Sequence, residues 1–334
     1  LEDPILVLRS SSGVELARDD DAGNGLNASL AYTVPAGGTY RVSAASVDYT
    51  GTAGVDVLVG TDGDNRFRGN GGNDTIVGGG GSDTAMYAGN RGGYRLVDNG
   101  PGVTVTDQFG PEGTDTLTGI ERVMFADMTV NLTIGANSRT IPTGQLKTLE
   151  ELYVAFFNRV PDADGLSFWI DRARAGQGLD SIADSFYDAA LQYPAQTGYT
   201  GNMTNADLVN EIYRNVLGRQ EGADPGGLDF WTHSLADGMS RGQLVLSILD
   251  SAHSFKGRPD YGWVADLLDN KAVVAQRFAV EMGLNYNTPQ ESIARGMTIA
   301  DAVTPYGTSA AISLIGVTAS AMVIPRAMDS CGVL

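Results

Sequence analysis

Four consecutive nonapeptides constrain this chain more than any other feature. They read GTAGVDVLV (51–59), GTDGDNRFR (60–68), GNGGNDTIV (69–77) and GGGGSDTAM (78–86). Each has Gly at its fourth position: Gly54, Gly63, Gly72 and Gly81. The sixth is Asp56, Asn65, Asp74 or Asp83, and the eighth is Leu58, Phe67, Ile76 or Ala85. A short fixed period marks a solenoid, whose repeats bury their apolar side only by stacking on one another. Glycine at successive loop positions permits left-handed turns that a side chain blocks.

Two nonapeptides make one turn of a parallel roll, so residues eighteen apart stack. Asp56 is predicted to face Asp74, and Asn65 to face Asp83. Ca²⁺ prefers hard oxygen ligands, which carboxylates and loop carbonyls supply. The Asp56/Asp74 pair has two full charges and is the stronger candidate. The Asn65/Asp83 pair has one, which Asp62 or Asp64 could supplement. The pattern G-G-x-G-x-D-x-U-x, with U apolar, resembles the RTX (haemolysin-type) calcium-binding repeats of bacterial type I secreted proteins. That resemblance implies a calcium β-roll.

The 334 residues include 22 basic and 40 acidic side chains, for a formal charge of −18. Only Lys147, Lys256 and Lys271 are lysines. Nucleic-acid binding, which needs a basic stripe, is excluded as an expectation. One cysteine, Cys331, rules out an internal disulfide framework. No Sec-type leader follows Leu1, so a longer parent or an export signal elsewhere is expected. The longest apolar run, Ala310–Ile324, is broken by Ser, Thr and Gly and is too short to span a membrane.

Residues 1–50 alternate in the β manner, with turns at Ser11-Ser12-Gly13 and Pro35-Ala36-Gly37-Gly38. Asp3-Pro4, the Gly13 turn, Asp19-Asp20-Asp21, Gly25-Leu26-Asn27 and Ala36-Gly37-Gly38-Thr39-Tyr40 resemble the second half of the bacterial pre-peptidase C-terminal domain, a small β-sandwich. Asp19, Asp20 and Asp21 read either as further Ca²⁺ ligands or as a solvated acidic turn. Residues 87–140 continue the strand pattern. Gly113–Glu121 with Phe125-Ala126-Asp127 resembles the cap that follows RTX rolls. Val103, Val105, Leu117, Ile120, Val123 and Phe125 are expected to cover the open end of the solenoid.

From Leu146 the apolar residues recur at three and four, so the chain turns helical. Residues 141–262 hold a duplication. YVAFFNR (153–159) and DADGLSFW (162–169) return as YRNVLGR (213–219) and DPGGLDFW (224–231). This resembles a helical domain of unknown function found in RTX and S-layer proteins, and 263–334 its helical extension with a secretion signal. The residues read in two ways. Tyr153, Tyr213, Trp169 and Trp231 are core anchors, with Arg159 and Arg219 bridging to carboxylates across the loop. Alternatively, Asp162, Asp164 and Asp224 bind Ca²⁺, or the tryptophans bind sugar.

No H-E-x-x-H, G-x-S-x-G or phosphate loop is present. Ser234, His253 and Asp250 make a triad only on paper, and Cys331 with His233 has no supporting motif. The expected architecture is multidomain α+β: a β-sandwich remnant, a parallel calcium β-roll (51–86) with a β cap, and a C-terminal all-α domain. The expected protein is non-catalytic, binds Ca²⁺, is extracellular, and self-assembles or contacts a cell-surface polysaccharide or protein. The alternative is the accessory C-terminal half of a secreted hydrolase, a peptidase, whose catalytic domain is missing; on either reading the expected source is a Gram-negative bacterium.

Overall fold

The computed structural model describes residues 6–10, 15–19, 40–44, 47–317 and 322–323, with side chains over 48–317. It contains both helices and sheets. The chain divides into two units, Leu1–Ala126 with Ala319–Leu334, and Asp127–Thr318.

In the first unit, strands β1 (Leu6–Ser10), β2 (Glu15–Asp19) and β3 (Tyr40–Ala44) form a sheet in which β1 pairs antiparallel with both others. The turns expected at 11–13 and 35–38 lie outside the described residues. Strand β4 (Val47–Thr50) belongs elsewhere: it pairs in parallel with the repeats, although its sequence falls within the segment read as a sandwich.

Each nonapeptide contributes one short strand: β5 (Val57–Val59), β6 (Asn65–Arg68), β7 (Thr75–Val77) and β8 (Thr84–Met86). Alternate strands enter alternate sheets. β5 pairs in parallel with β7, and β4 with β6 with β8, always in an eighteen-residue register. The eighth position faces in: Phe67, Ile76 and Ala85 are buried and Leu58 is half-buried. Tyr49 of β4 stacks on Phe67 with ring centroids 4.9 Å apart, extending that column by one layer.

A hairpin then interrupts the period. It is made of β9 (Tyr94–Asp98) and β10 (Val103–Asp107). β11 (Thr114–Thr118) follows, pairing antiparallel with β10 and in parallel with β7, Leu117 beside Ile76. β12 (Arg122–Met124) pairs in parallel with β8, Val123 beside Ala85. The short strand Met322–Val323 joins β9. Of the six expected covering residues, Val105, Leu117, Ile120, Val123 and Phe125 are buried and Val103 is half-buried.

The second unit holds a two-stranded pair, β13 (Met128–Asn131) with β14 (Leu284–Tyr286), among helices. These are α1 (Ile134–Asn137), α2 (Thr143–Phe157), α3 (Ala163–Arg174), α4 (Leu179–Ala190), α5 (Pro194–Thr197), α6 (Asn205–Leu217), α7 (Pro225–Ala236), α8 (Arg241–Ser254), α9 (Gly262–Ala275), α10 (Pro289–Asp301) and α11 (Ser309–Ile315). A π-helical turn, Gln276–Glu281, extends α9. α2 buries nearly its whole circumference from Leu149 to Phe157, as a central helix must.

The duplication is α2–α3 and α6–α7. Each first helix ends on a left-handed residue, Asn158 or Gly218, and each second helix is capped by an aspartate. Asp162 accepts the Gly165 N–H and Asp224 the Gly227 N–H. Those two glycines are fixed by crowding, because a β-carbon on either would strike a tyrosine hydroxyl, of Tyr153 or of Tyr213. The copies differ in cover. Trp169 is buried and stacks on Phe186 of α4 at 4.6 Å. Trp231 is half-buried, and no residue of α7 is fully buried.

Candidate metal centre

The repeats build two rows of side-chain oxygen atoms. In the first, the Asp56 N–H donates to Asp74 Oδ1 at 2.9 Å. In the second, the Asn65 N–H donates to Asp83 Oδ1 at 2.8 Å. Asp74 and Asp83 therefore each reach back to the backbone of the sixth-position residue eighteen residues earlier. Asp74 and Asp83 are 2% and 0% exposed, and the Oδ2 of each is buried without a hydrogen-bond partner among the described residues.

A buried carboxylate oxygen with no donor is costly for the charged form. Burial accordingly raises the pKa of Asp74 and pushes Asp83 up to about 6, where the charges of Glu121 and Asp64 add to the effect. The first coil differs. Thr52 donates from both its N–H and its hydroxyl to Asp56 Oδ2, and Thr61 does the same for Asn65 Oδ1. Gly72 and Gly81 hold positive φ, 110° and 103°, whereas Gly54 and Gly63 do not. There the threonine hydroxyls accept the Gly54 and Gly63 N–H groups, so the turn needs no left-handed residue.

The first glycine of each repeat lies against these oxygen atoms. A β-carbon on Gly51 would strike Asp56 Oδ2 and the Gly69 carbonyl. One on Gly60 would strike Asn65 Oδ1 and the Gly78 carbonyl. Carboxylate and carbonyl oxygens thus converge where only glycine leaves room. Hard donors, orphaned buried charge and a cradle without side chains fit Ca²⁺.

Asp64 accepts the Ser82 N–H at 2.7 Å and, like Asp62, is exposed. Asp20, Asp21 and the side chain of Asp19 lie outside the described residues. Asp162 is engaged by Arg159 at 3.0 Å, the Gly165 N–H and Ser292 Oγ, and Asp164 accepts from Asn131. Arg219 likewise pairs with Asp224 at 3.1 Å. These contacts are those of the scaffold reading. Trp169 lines a cavity of about 390 Å³ together with Tyr153, Arg159 and Asp162, but Phe186 occupies one face of its indole.

Sequence reasoning missed two members of the rows. Asp115 Oδ1 accepts the Asp74 N–H at 2.9 Å, and Glu121 Oε2 accepts the Asp83 N–H at 2.8 Å. Asp115 is 2% exposed, and burial together with the Asp74 and Glu112 charges pushes it up to about 6. The signal was present: Gly113-Thr114-Asp115-Thr116-Leu117 repeats the G-x-D-x-U end of a nonapeptide.

A second acidic group lies in the helical unit. His253 Nε2 is 2.8 Å from Glu151, and Asp269 is nearby. Lys147 already bridges Glu151 and Asp269, and Lys256 also binds Asp269, so ammonium groups serve as the cations there. The paper triad is not assembled by the hydrogen bonds among the described residues. His253 bonds Glu151, and Ser234 Oγ donates to the Phe230 carbonyl. Cys331 lies outside the described residues.

Residues 50–85 match the RTX calcium-binding nonapeptide repeat, in four copies. The chain carries calcium-binding repeats. Residues 192–256 match a domain of unknown function, DUF4214, and this range spans the second copy of the duplication. No curated protein matches the chain. No described helix is long and apolar enough to cross a membrane.

Proposed function

We propose that the protein is a non-catalytic, calcium-condensed extracellular module that assembles with itself or with cell-surface material, as an S-layer, matrix or filament component. One observation carries the reading: Asp74 Oδ2 and Asp83 Oδ2 are buried with no hydrogen-bond donor among the described residues, in two rows of oxygen atoms. Asp56 and Asp74 hold one ion, and Asn65, Asp83 and Asp64 another, with loop carbonyls completing each shell. Ca²⁺ supplies the positive charge that these rows lack.

Cytosolic Ca²⁺ is scarce, so the β-roll stays open and threads a type I channel. Outside, binding free energy becomes folding free energy. A site at a hundredfold excess of ion over its dissociation constant adds about 2.7 kcal/mol. The same ions offset the self-repulsion of a chain with net charge −18 and bridge carboxylates between copies.

The test is a calcium titration of the full chain in chelated buffer, followed by circular dichroism, calorimetry and sedimentation. Bound Ca²⁺, a gain of β signal and larger particles are expected. Absence of Ca²⁺ uptake at millimolar concentration overturns the reading. Uptake without association or envelope binding overturns the assembly role alone.

A further inference from the structure

We propose that Gly113–Glu121 is a ligand-bearing coil, which adds one divalent-cation site to each row with Asp115 and Glu121 as its carboxylates. This rests on the calcium reading of the repeats. It extends the binding region past the four nonapeptides, into a segment that sequence reading assigns to a passive cap.

The same hydrogen bond recurs from layer to layer. Asp74 accepts from the Asp56 N–H at 2.9 Å, and Asp115 accepts from the Asp74 N–H at 2.9 Å. Asp83 accepts from the Asn65 N–H at 2.8 Å, and Glu121 accepts from the Asp83 N–H at 2.8 Å. Asp115 therefore stands to Asp74 as Asp74 stands to Asp56. Glu121 stands to Asp83 as Asp83 stands to Asn65. The chain spacing changes, to 41 and 38 residues, but the placement does not.

The glycine cradle recurs as well. A β-carbon on Gly78 would strike Asp83 Oδ2 and the carbonyl of Gly119. At Gly60 the corresponding atoms are Asn65 Oδ1 and the carbonyl of Gly78. Gly119 thus delivers its carbonyl where a sixth nonapeptide, two repeats on, would deliver the carbonyl of its first glycine. The orphaned oxygen of Asp83 lies at this junction.

Charge favours the same layer. The Asn65/Asp83 pair carries one carboxylate, whereas Asp83/Glu121 and Asp74/Asp115 carry two each. Asp74 and Asp115 are both fully enclosed, while Asp56 is half-exposed and already bonded by Thr52. A hard dication gains more where two buried carboxylates meet. The added sites therefore bind more tightly than the Asn65/Asp83 site.

Bound Ca²⁺ is counted by equilibrium dialysis on the full-length protein and on Asp56→Ala, Asp115→Ala and Glu121→Ala, each of which removes the ligand oxygen outright. Each variant is expected to hold one ion fewer than the parent. If Asp56→Ala loses an ion while Asp115→Ala and Glu121→Ala lose none, the segment only caps, and this inference falls while the calcium reading of the repeats stands. If the parent binds no Ca²⁺, both fall. A second readout needs no carboxylate change. The Tyr87 hydroxyl donates to Asp115 Oδ2 at 2.8 Å, so Tb³⁺ at this site takes excitation from that ring. Tyr87→Phe should lower sensitised Tb³⁺ emission without lowering the ion count. Unchanged emission overturns the Asp115 site.

Discussion

The Trp231 indole N–H donates to the Tyr213 hydroxyl at 3.0 Å, in a pair that remains half open to solvent on its tryptophan side. The same motif in the first copy places Trp169 beside Tyr153, enclosed and stacked on Phe186. The shared motif thus gives one deep anchor and one shallow one. Trp169→Ala should cost about 3–5 kcal/mol, as large core truncations do. Trp231→Ala should cost only about 1–2 kcal/mol, for partial burial and one hydrogen bond. Denaturant unfolding of the two variants checks this, and equal losses would contradict it.

The calcium-free roll should weaken as pH rises. Asp83 and Asp115 stand at about 6 in the folded protein against an ordinary 3.8. Between those values the folded state binds more protons than the unfolded chain, so stability falls as pH climbs through the window. The expected result in calcium-free buffer is a higher denaturation midpoint at pH 5 than at pH 7. Ca²⁺ competes with the same protons, so its affinity should rise over that range. A calorimetric series at both pH values tests the pair of trends.

Glu150 gives a second, ion-independent dependence. Its Oε1 is buried with no hydrogen-bond partner among the described residues. Burial, aided by the neighbouring Glu151 charge, pushes it up to about 8 from 4.5. Stability should therefore decline from about pH 5 to pH 8. Glu150→Gln removes the titration and should be the more stable protein at pH 9, by an amount on the order of 2 kcal/mol. Melting curves of parent and variant across this range give the answer.

Gly78→Ala should damage the roll more than Gly63→Ala. The added methyl at 78 meets a carbonyl oxygen and a carboxylate, whereas at 63 it meets only the far end of the Thr61 side chain. Loss of Ca²⁺-induced β signal in the first variant and its retention in the second is the expected pattern.

The two rows were legible because an eighteen-residue register leaves its mark on every layer from Val47 to Met86. Asp115 and Glu121 escaped because the β9–β10 hairpin breaks that register, although the residues it returns are of the same kind. The helical duplication was legible from Tyr-to-Arg and Gly-to-Trp spacing. The unequal burial of its two tryptophans was not, since it depends on which distant elements cover each helix. The strand at Val47–Thr50 was misplaced for a related reason: Tyr49 stands eighteen residues before Phe67, but no glycine-rich loop announces it.

The hairpin has a consequence for the order of assembly. Joining Asp56 to Asp74 closes 18 residues, whereas joining Asp74 to Asp115 closes 41. For a flexible chain the longer closure is about 0.7 kcal/mol less favourable in entropy. Local formation of β9 and β10 removes much of that difference by drawing the ends of the excursion together before they dock. The last layer of the stack therefore depends on an excursion outside the repeats, and the hairpin that shortens it is the latch on which the winding closes.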